Sequence, residues 1–198
     1  LGIGDAVLRN YIRAMLLQTD SPDLVTLRTP RAADQRASVV ELCRGALLSP
    51  VASPPLDRLA QGARRIAVIV SDESRDEPRS DMLRALREVL PWDRVTLVVA
   101  SGTHEASHRA VPDEHRDRPV VVHGSGSTVV DLGRTTRGTR IRLLDVVAEA
   151  DLVVATGRVR PHYFAGLSAG AEAIFPGVAL AEDILANRLD PWHGAHFH

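Results

Sequence analysis

Four short runs of apolar, mostly β-branched residues constrain the fold of this chain more than any other feature. They are IAVIV (66–70), VTLVVA (95–100), VVVH (120–123) and LVVAT (152–156). Because the runs are continuous and do not alternate with polar residues, each is typical of a strand that is covered on both faces. The sequence therefore predicts four buried strands between residues 66 and 156.

The segments around these runs carry helical spacing. Between the first two runs, PRSDMLRALREVL (78–90) repeats its apolar residues every three or four positions, which gives a β-α-β unit. Further helices are predicted around 38–47 and within VALAEDILANRL (178–189), where Leu180, Ile184 and Leu185 share one side. The predicted fold class is α/β, an open, largely parallel Rossmann-like sheet with helices on both faces.

The patterning also divides the chain into two parts. Residues 1–60 form a weakly patterned N-terminal segment that ends in the Pro/Ser-rich connector SPVASPPL (49–56), and residues 61–198 form the α/β domain.

Composition narrows the class of partner and the compartment. Net charge is -1 and apolar content is 44%, which disfavours disorder and nucleic-acid binding and favours a small-molecule partner. The single cysteine, Cys43, excludes an internal disulfide, and no run approaches the roughly 20 apolar residues of a membrane span. We therefore expect a cytoplasmic protein with no membrane partner. All 24 basic residues are arginine, so no lysine is available for a covalent cofactor link.

Unusual polar clusters follow the carboxyl end of each predicted strand. These clusters are SDESR (71–75), SGTH (101–104), His123 and GRVRPH (157–162). In open α/β sheets this edge binds ligands, because the loops converge there at the switch in strand order.

Four residues of these clusters suit acid/base work on a small anionic substrate. His104 and His162 are imidazoles that titrate near neutral pH, Arg75 offers a planar fork to a carboxylate or phosphate, and Asp72 adds a carboxylate. Each also has a structural reading: Asp72 as a turn former, His104 as a cap or loop residue, and His162 as a packed histidine. His123, at a strand end, is expected to be structural.

The loop GLSAGAEAIFPG (166–177) supplies small residues that let main chain approach a ligand. Ser168 is predicted to cap a short helix whose N–H groups favour an anion such as phosphate. The loop matches neither the Walker nor the dinucleotide fingerprint.

Taken in order, these motifs resemble the N-terminal domain of the nickel-dependent lactate racemases. The resemblance runs from Ala46 to Asn187, through LLSPVASPPL, VSDESR, ASGTH, VVVH, EADLVVATGRVRPHYFAGLSAGAEAIFPG and AN. It implies racemisation or epimerisation of a small 2-hydroxy acid, with a hydride passing to a nickel pincer nucleotide. It also implies a C-terminal domain, which is missing from this chain or replaced by an oligomer partner.

The resemblance assigns roles to individual residues. His104 and His162 fall on the paired acid/base histidines, and Arg75 falls on the clamp for the substrate carboxylate. The positions implied to bind the cofactor are Asp72, Ser101, Gly102, Thr103, Gly166, Ser168, Gly170 and Glu172.

Two positions depart from the family pattern. Glu172 stands where the family has the lysine that is joined to the cofactor, and Arg188 stands where it has a nickel-ligating histidine. A carboxylate cannot form the thioamide link, and a guanidinium is a very poor metal ligand. The cofactor would then bind without a covalent tether, a different nucleotide or metal would be used, or the original chemistry has been lost.

No metal ligands are assigned. His193, His196 and His198 lie close together in the sequence, but without an acidic or cysteine companion they are interpreted as a frayed terminus.

Three functions follow. The first is a lactate racemase-like domain with altered tether and nickel positions. The second is a non-catalytic nucleotide- or anion-binding module that has lost nickel chemistry. The third is a metal-independent elimination or dehydration in which Glu172 serves as the base.

Overall fold

A computed structural model describes residues 37–124, 126–162 and 166–189, with the backbone alone at Gly166 and Leu167. In chain order the strands are β1 (Ile66–Ser71), β2 (Val95–Ala100), β3 (Val120–Val122), β4 (Val129–Arg134), β5 (Arg140–Leu144), β6 (Leu152–Ala155), β7 (Pro161–His162) and β8 (Gly166–Leu167). The helices are α1 (Val39–Leu48), α2 (Leu56–Leu59), α3 (Arg79–Val89), α4 (Asp145–Ala148) and α5 (Ala181–Arg188). Short 3₁₀ turns occupy Trp92–Arg94, His108–Ala110, Asp113–His115 and Gly170–Ala173.

The four predicted strands form one parallel sheet in the order β3-β2-β1-β6. Ile66 of β1 is in register with Val95 on one side and with Leu152 on the other. After β1 the chain moves outward through β2 to β3 and then returns to the opposite side of β1 as β6. The order therefore switches beside β1, where a parallel sheet opens a crevice at its carboxyl edge.

Both faces of the sheet are covered, which confirms the predicted fold class. Ile66, Val68 and Val70 point to one face, where they pack with α2 and α3, while Ala67 and Ile69 point to the other, where α4 and Val178 lie. Burial of one such aliphatic side chain stabilises the fold by about 1.5–3 kcal/mol. Continuous apolar runs are thus required because successive residues of each strand meet opposite layers.

Residues 37–60 pack onto the first of these faces. Ser38 begins α1 with a capping box, in which its Oγ accepts from the amide of Glu41 at 3.3 Å and the Glu41 carboxylate accepts from the Ser38 amide at 2.7 Å. Farther along, Leu56 and Ala60 belong to the same core cluster as α3.

The last helix is shorter than predicted. It begins at Ala181 and not at residue 178, and Leu180 is its N-cap. Ile184 is buried as predicted, but Leu185 is 52% exposed, because one residue rotates the helix surface by about 100° away from the core. In the described part of the chain, no helix is long and apolar enough to cross a membrane.

Candidate active site

A cleft opens at the carboxyl edge of the sheet, beside the switch in strand order. Its walls are the loops after β1, β2 and β6 together with residues 168–177, and its space, including the part open to solvent, is about 780 Å³. Nine predicted site residues line it: Asp72, Arg75, Ser101, Gly102, Thr103, His104, His162, Ser168 and Glu172. Of the other two, Gly166 is the first residue of β8 and Gly170 begins the last 3₁₀ turn with a φ of 58°.

The first histidine of the cleft is held by a buried carboxylate. His104 Nδ1 lies 3.4 Å from Asp72 Oδ2, and the side chain of Asp72 is 6% exposed whereas that of His104 is 51% exposed. The other oxygen of Asp72 accepts from the Ser74 amide at 2.8 Å, so the predicted turn and the predicted site role coexist. Because Asp72 fixes Nδ1, His104 Nε2 is the ring nitrogen available to a ligand.

Burial and hydrogen bonding act in opposite directions on Asp72. Burial favours the protonated acid, but hydrogen bonds from Ser74 and His104 outweigh it and lower the pKa of Asp72 below its ordinary value. The carboxylate is therefore ionised at neutral pH.

The second histidine also has a carboxylate partner. His162 Nε2 lies 3.4 Å from Glu172 Oε1, and the two side chains are 26% and 21% exposed. His162 comes from β7, and Glu172 comes from the 3₁₀ turn Gly170–Ala173. Glu172 is thus part of the cleft and contacts a predicted catalytic residue.

Arginines give the cleft its positive charge. Arg158 Nη1 lies 3.5 Å from the Asp76 carboxylate, and Arg160 Nη2 donates to the Asp76 carbonyl at 2.9 Å. Arg75 and Arg188 line the same cleft, yet neither guanidinium has a hydrogen-bond or ion-pair partner among the described residues. These two are the groups most ready to meet an anion.

Ser101 lines the cleft, but its hydroxyl is engaged behind it. Ser101 Oγ lies 2.9 Å from His123 Nδ1 and 3.1 Å from the His123 carbonyl oxygen, and both residues are buried. Burial lowers the pKa of His123, so this imidazole is neutral. His123 supports the loop after β2 from beneath.

Ser168 does not cap a helix, contrary to the prediction. Its Oγ accepts from the Arg160 amide at 3.0 Å and lies 3.1 Å from the Arg158 carbonyl, so it ties β8 to the loop before β7. The following 3₁₀ turn has Ala169 at its N-cap, with no side-chain cap. The antiparallel pairing of β7 with β8, which the sequence did not reveal, brings the backbone before β7 next to this hydroxyl.

Sequence reasoning missed two residues that organise the loop after β1. Glu77 Oε1 accepts from Ser71 Oγ at 3.3 Å and from the Arg158 amide at 3.1 Å, which joins this loop to the one after β6. Arg79 donates to the carbonyls of Ser71, Asp72 and Arg75. Both residues lie within four positions of the end of SDESR, and this proximity is the sequence signal that could have identified them.

Within residues 37–124, 126–162 and 166–189, no three His, Cys, Asp or Glu side chains are grouped so as to hold a metal ion. The tail histidines His193, His196 and His198 lie outside the described residues.

Comparisons with known proteins agree with this architecture. Residues 13–194 match the family described as the lactate racemase N-terminal domain. The chain is 31% identical over 189 residues to the lactate racemase of Lactiplantibacillus plantarum, which covers 88% of this chain and 45% of that protein. It is 31% identical over 159 residues to the lactate racemase of Thermoanaerobacterium thermosaccharolyticum, which covers 74% of this chain and 37% of that protein.

A solved structure gives the same result. The lactate racemase apoprotein from Thermoanaerobacterium thermosaccharolyticum superposes with a TM-score of 0.69 at 31% identity, covering 76% of this chain and 39% of that one. The chain spans less than half the length of these relatives. Because the family match covers nearly the whole sequence, the chain belongs to the lactate racemase family, within its N-terminal domain.

Proposed function

We propose that the cleft binds a small 2-hydroxy acid and exchanges the proton of its hydroxyl with a histidine, as one part of a racemisation or epimerisation. The observation that carries this proposal is the arrangement of two histidine–carboxylate pairs and a guanidinium without a partner around one cleft. The relatives named above are lactate racemases, and lactate is a 2-hydroxy acid.

In this proposal Arg75 binds the substrate carboxylate. Its planar fork suits a carboxylate, and it stays charged at every physiological pH. The carbonyl oxygen of Arg75 accepts from Arg79, so the backbone that carries the guanidinium is held in place. A hydrogen bond to a charged group contributes about 1.5–3 kcal/mol, enough to orient a ligand of this size.

His104 and His162 would then receive or return the hydroxyl proton. A neutral imidazole accepts a proton near neutral pH, and the Asp72 or Glu172 carboxylate beside it stabilises the resulting imidazolium. Two such pairs in one cleft would serve the two enantiomers of a substrate, because each enantiomer presents its hydroxyl to a different side of the cleft.

The nickel pincer nucleotide of the family does not fit the residues present here. The cleft holds Glu172 against His162, and a carboxylate cannot form the family's covalent link. Arg188 lines the cleft as a guanidinium, which cannot ligate a metal. The proposal for this chain is therefore limited to substrate binding and proton transfer.

Calorimetric titration with D- and L-lactate tests the binding step. Arg75→Gln is expected to weaken lactate binding at least about tenfold, because a charge-assisted hydrogen bond is lost. Arg64→Gln is the matched control, since Arg64 lies before β1 at the opposite edge of the sheet and the substitution removes the same charge. Equal lactate affinity in wild type and Arg75→Gln would refute the assignment.

A second candidate is a non-catalytic anion-binding module, favoured by Glu172 and Arg188 at the positions that would tether and ligate the cofactor. The two candidates differ in turnover. Interconversion of D- and L-lactate also needs an acceptor for the α-hydrogen, so it is measured with the family's cofactor supplied. Its loss in the double variant His104→Gln, His162→Gln supports proton transfer. Lactate binding without interconversion supports the module.

A further inference from the structure

Arg188 is the feature of the cleft that neither the proton-transfer step nor the carboxylate clamp uses. It lies in the last turn of α5, its side chain is exposed, and it lines the same cleft as Arg75. An exposed arginine on a convex surface is ordinarily satisfied by water. Arg188 differs because it lines a concave site in which most other charged groups have a partner.

Most charged side chains around the cleft have a hydrogen-bond or ion-pair partner. The Asp72 and Glu172 carboxylates are paired with histidines, and Arg158 and Arg160 are held at Asp76. Glu77 Oε1 accepts from Ser71 Oγ and the Arg158 amide, whereas Glu77 Oε2 is buried and has no hydrogen-bond partner among the described residues. Among the described residues, two guanidiniums of the cleft then remain without partners, those of Arg75 and Arg188. Two fixed positive charges in one hollow favour a ligand with two negative groups.

The backbone that carries Arg188 is anchored. Asp183 is buried and forms a bidentate ion pair with Arg142, at 2.7 Å and 2.9 Å. Asn187, the neighbour of Arg188, donates from Nδ2 to Thr139 Oγ1 at 3.1 Å, and Ile184 is buried in the core. These contacts fix the end of α5 against β5 and its hairpin, so the start of the Arg188 side chain is held at the mouth of the cleft.

We infer that the ligand of this cleft is a 2-hydroxy acid with a second anionic group, which Arg188 binds while Arg75 holds the first carboxylate. The inference rests on the proposed function, because it takes the Arg75 clamp as given. The second group is a carboxylate or a phosphate, since the planar guanidinium fork accepts either.

Titrations with three ligands test the inference. L-Lactate carries one anionic group, L-malate carries two carboxylates, and 3-phosphoglycerate carries a carboxylate and a phosphate. Wild type is expected to bind L-malate or 3-phosphoglycerate at least about tenfold tighter than L-lactate. Tighter binding of L-malate identifies the second group as a carboxylate, and tighter binding of 3-phosphoglycerate identifies it as a phosphate.

Variants assign this preference to one side chain. Arg188→Gln is expected to abolish the preference, whereas Arg188→Lys retains part of it because the charge remains. Arg64→Gln, at the opposite sheet edge, is expected to behave as wild type although it loses the same charge. A preference that persists in Arg188→Gln, or equal affinity of wild type for all three ligands, overturns the inference.

The same measurements separate this inference from the proposed function. If lactate binds and Arg75→Gln weakens it, but wild type shows no preference for the doubly charged ligands, only the role of Arg188 fails. If no ligand binds, or if Arg75→Gln leaves every affinity unchanged, the proposed function fails and the inference fails with it. A thermal melt of each variant shows that the fold is retained.

Discussion

Replacing Ser101 with alanine is expected to destabilise the fold without weakening ligand binding. Ser101 lines the cleft, but its hydroxyl lies 2.9 Å from His123 Nδ1 in surroundings where both residues are about 5% exposed. Alanine leaves that buried ring nitrogen without this hydrogen-bond partner, at a cost of about 1–3 kcal/mol. For a chain of this size the loss corresponds to a melting temperature lower by about 2–12 °C.

Urea unfolding followed by circular dichroism measures this cost. Thr103→Ala is the control, because Thr103 lines the same cleft but is exposed, and it is expected to change the free energy of unfolding by less than about 0.5 kcal/mol. The double variant Ser101→Ala, His123→Phe is expected to be more stable than the sum of the single losses predicts, since both partners are then apolar.

Two results would refute this reasoning. Unchanged stability in Ser101→Ala would show that the contact with His123 contributes nothing. Strict additivity in the double variant would show that the two side chains do not interact. A loss of lactate affinity at unchanged stability would instead show that Ser101 contacts the substrate, a role that differs from the cofactor binding that the family resemblance implies.

Four further substitutions test the contributions of individual residues to stability. Burial lowers the pKa of His123 in the folded protein, so as pH falls the unfolded chain is protonated at a higher pH than the folded one. The free energy of unfolding should therefore be constant above about pH 6.5 and decrease below it. His123→Phe should flatten that part of the plot of urea midpoint against pH. Gly177→Ala places a Cβ 2.1 Å from the Ala173 carbonyl oxygen and should cost about 3 kcal/mol or more in urea unfolding, whereas Gly45→Ala, in open space on α1, should stabilise by about 0.5–1 kcal/mol. Ala169 has φ 73° and ψ -178°, so Ala169→Gly should relieve strain and raise stability by about 1 kcal/mol in the same assay.

The sheet could be predicted from the sequence because its strands are buried on both faces. Such strands must be continuous apolar runs, and the four predicted runs match β1, β2, β3 and β6 to within one residue at either end. The β4–β5 hairpin was not predicted, since its face is mostly exposed and its residues are polar, including Arg134 and Arg140. Because this hairpin is not covered on both faces, its strands do not need continuous apolar runs and the sequence carries no such signal.

The location of the site could also be predicted, because it follows from topology. Polar residues after parallel strands meet at one edge, and this rule brought Asp72, His104 and His162 to one cleft. The direction of individual hydroxyls could not be predicted. Ser101 and Ser168 both face the protein, and their partners at His123 and Arg160 come from segments whose approach depends on tertiary packing.

Glu172 and Arg188 differ in whether their charge has a partner in the cleft, and this difference affects which ligands the cleft can bind. Glu172 is paired with His162, so it completes a second histidine–carboxylate pair that matches the one formed by His104 and Asp72. Arg188 has no partner in the part of the chain that the structure describes. A guanidinium held at a cleft by an anchored helix repels cations and attracts anions. We therefore expect Arg188 to disfavour a cation at this end of the cleft, and the proposed acid/base groups and the proposed Arg75 clamp to meet an anionic ligand.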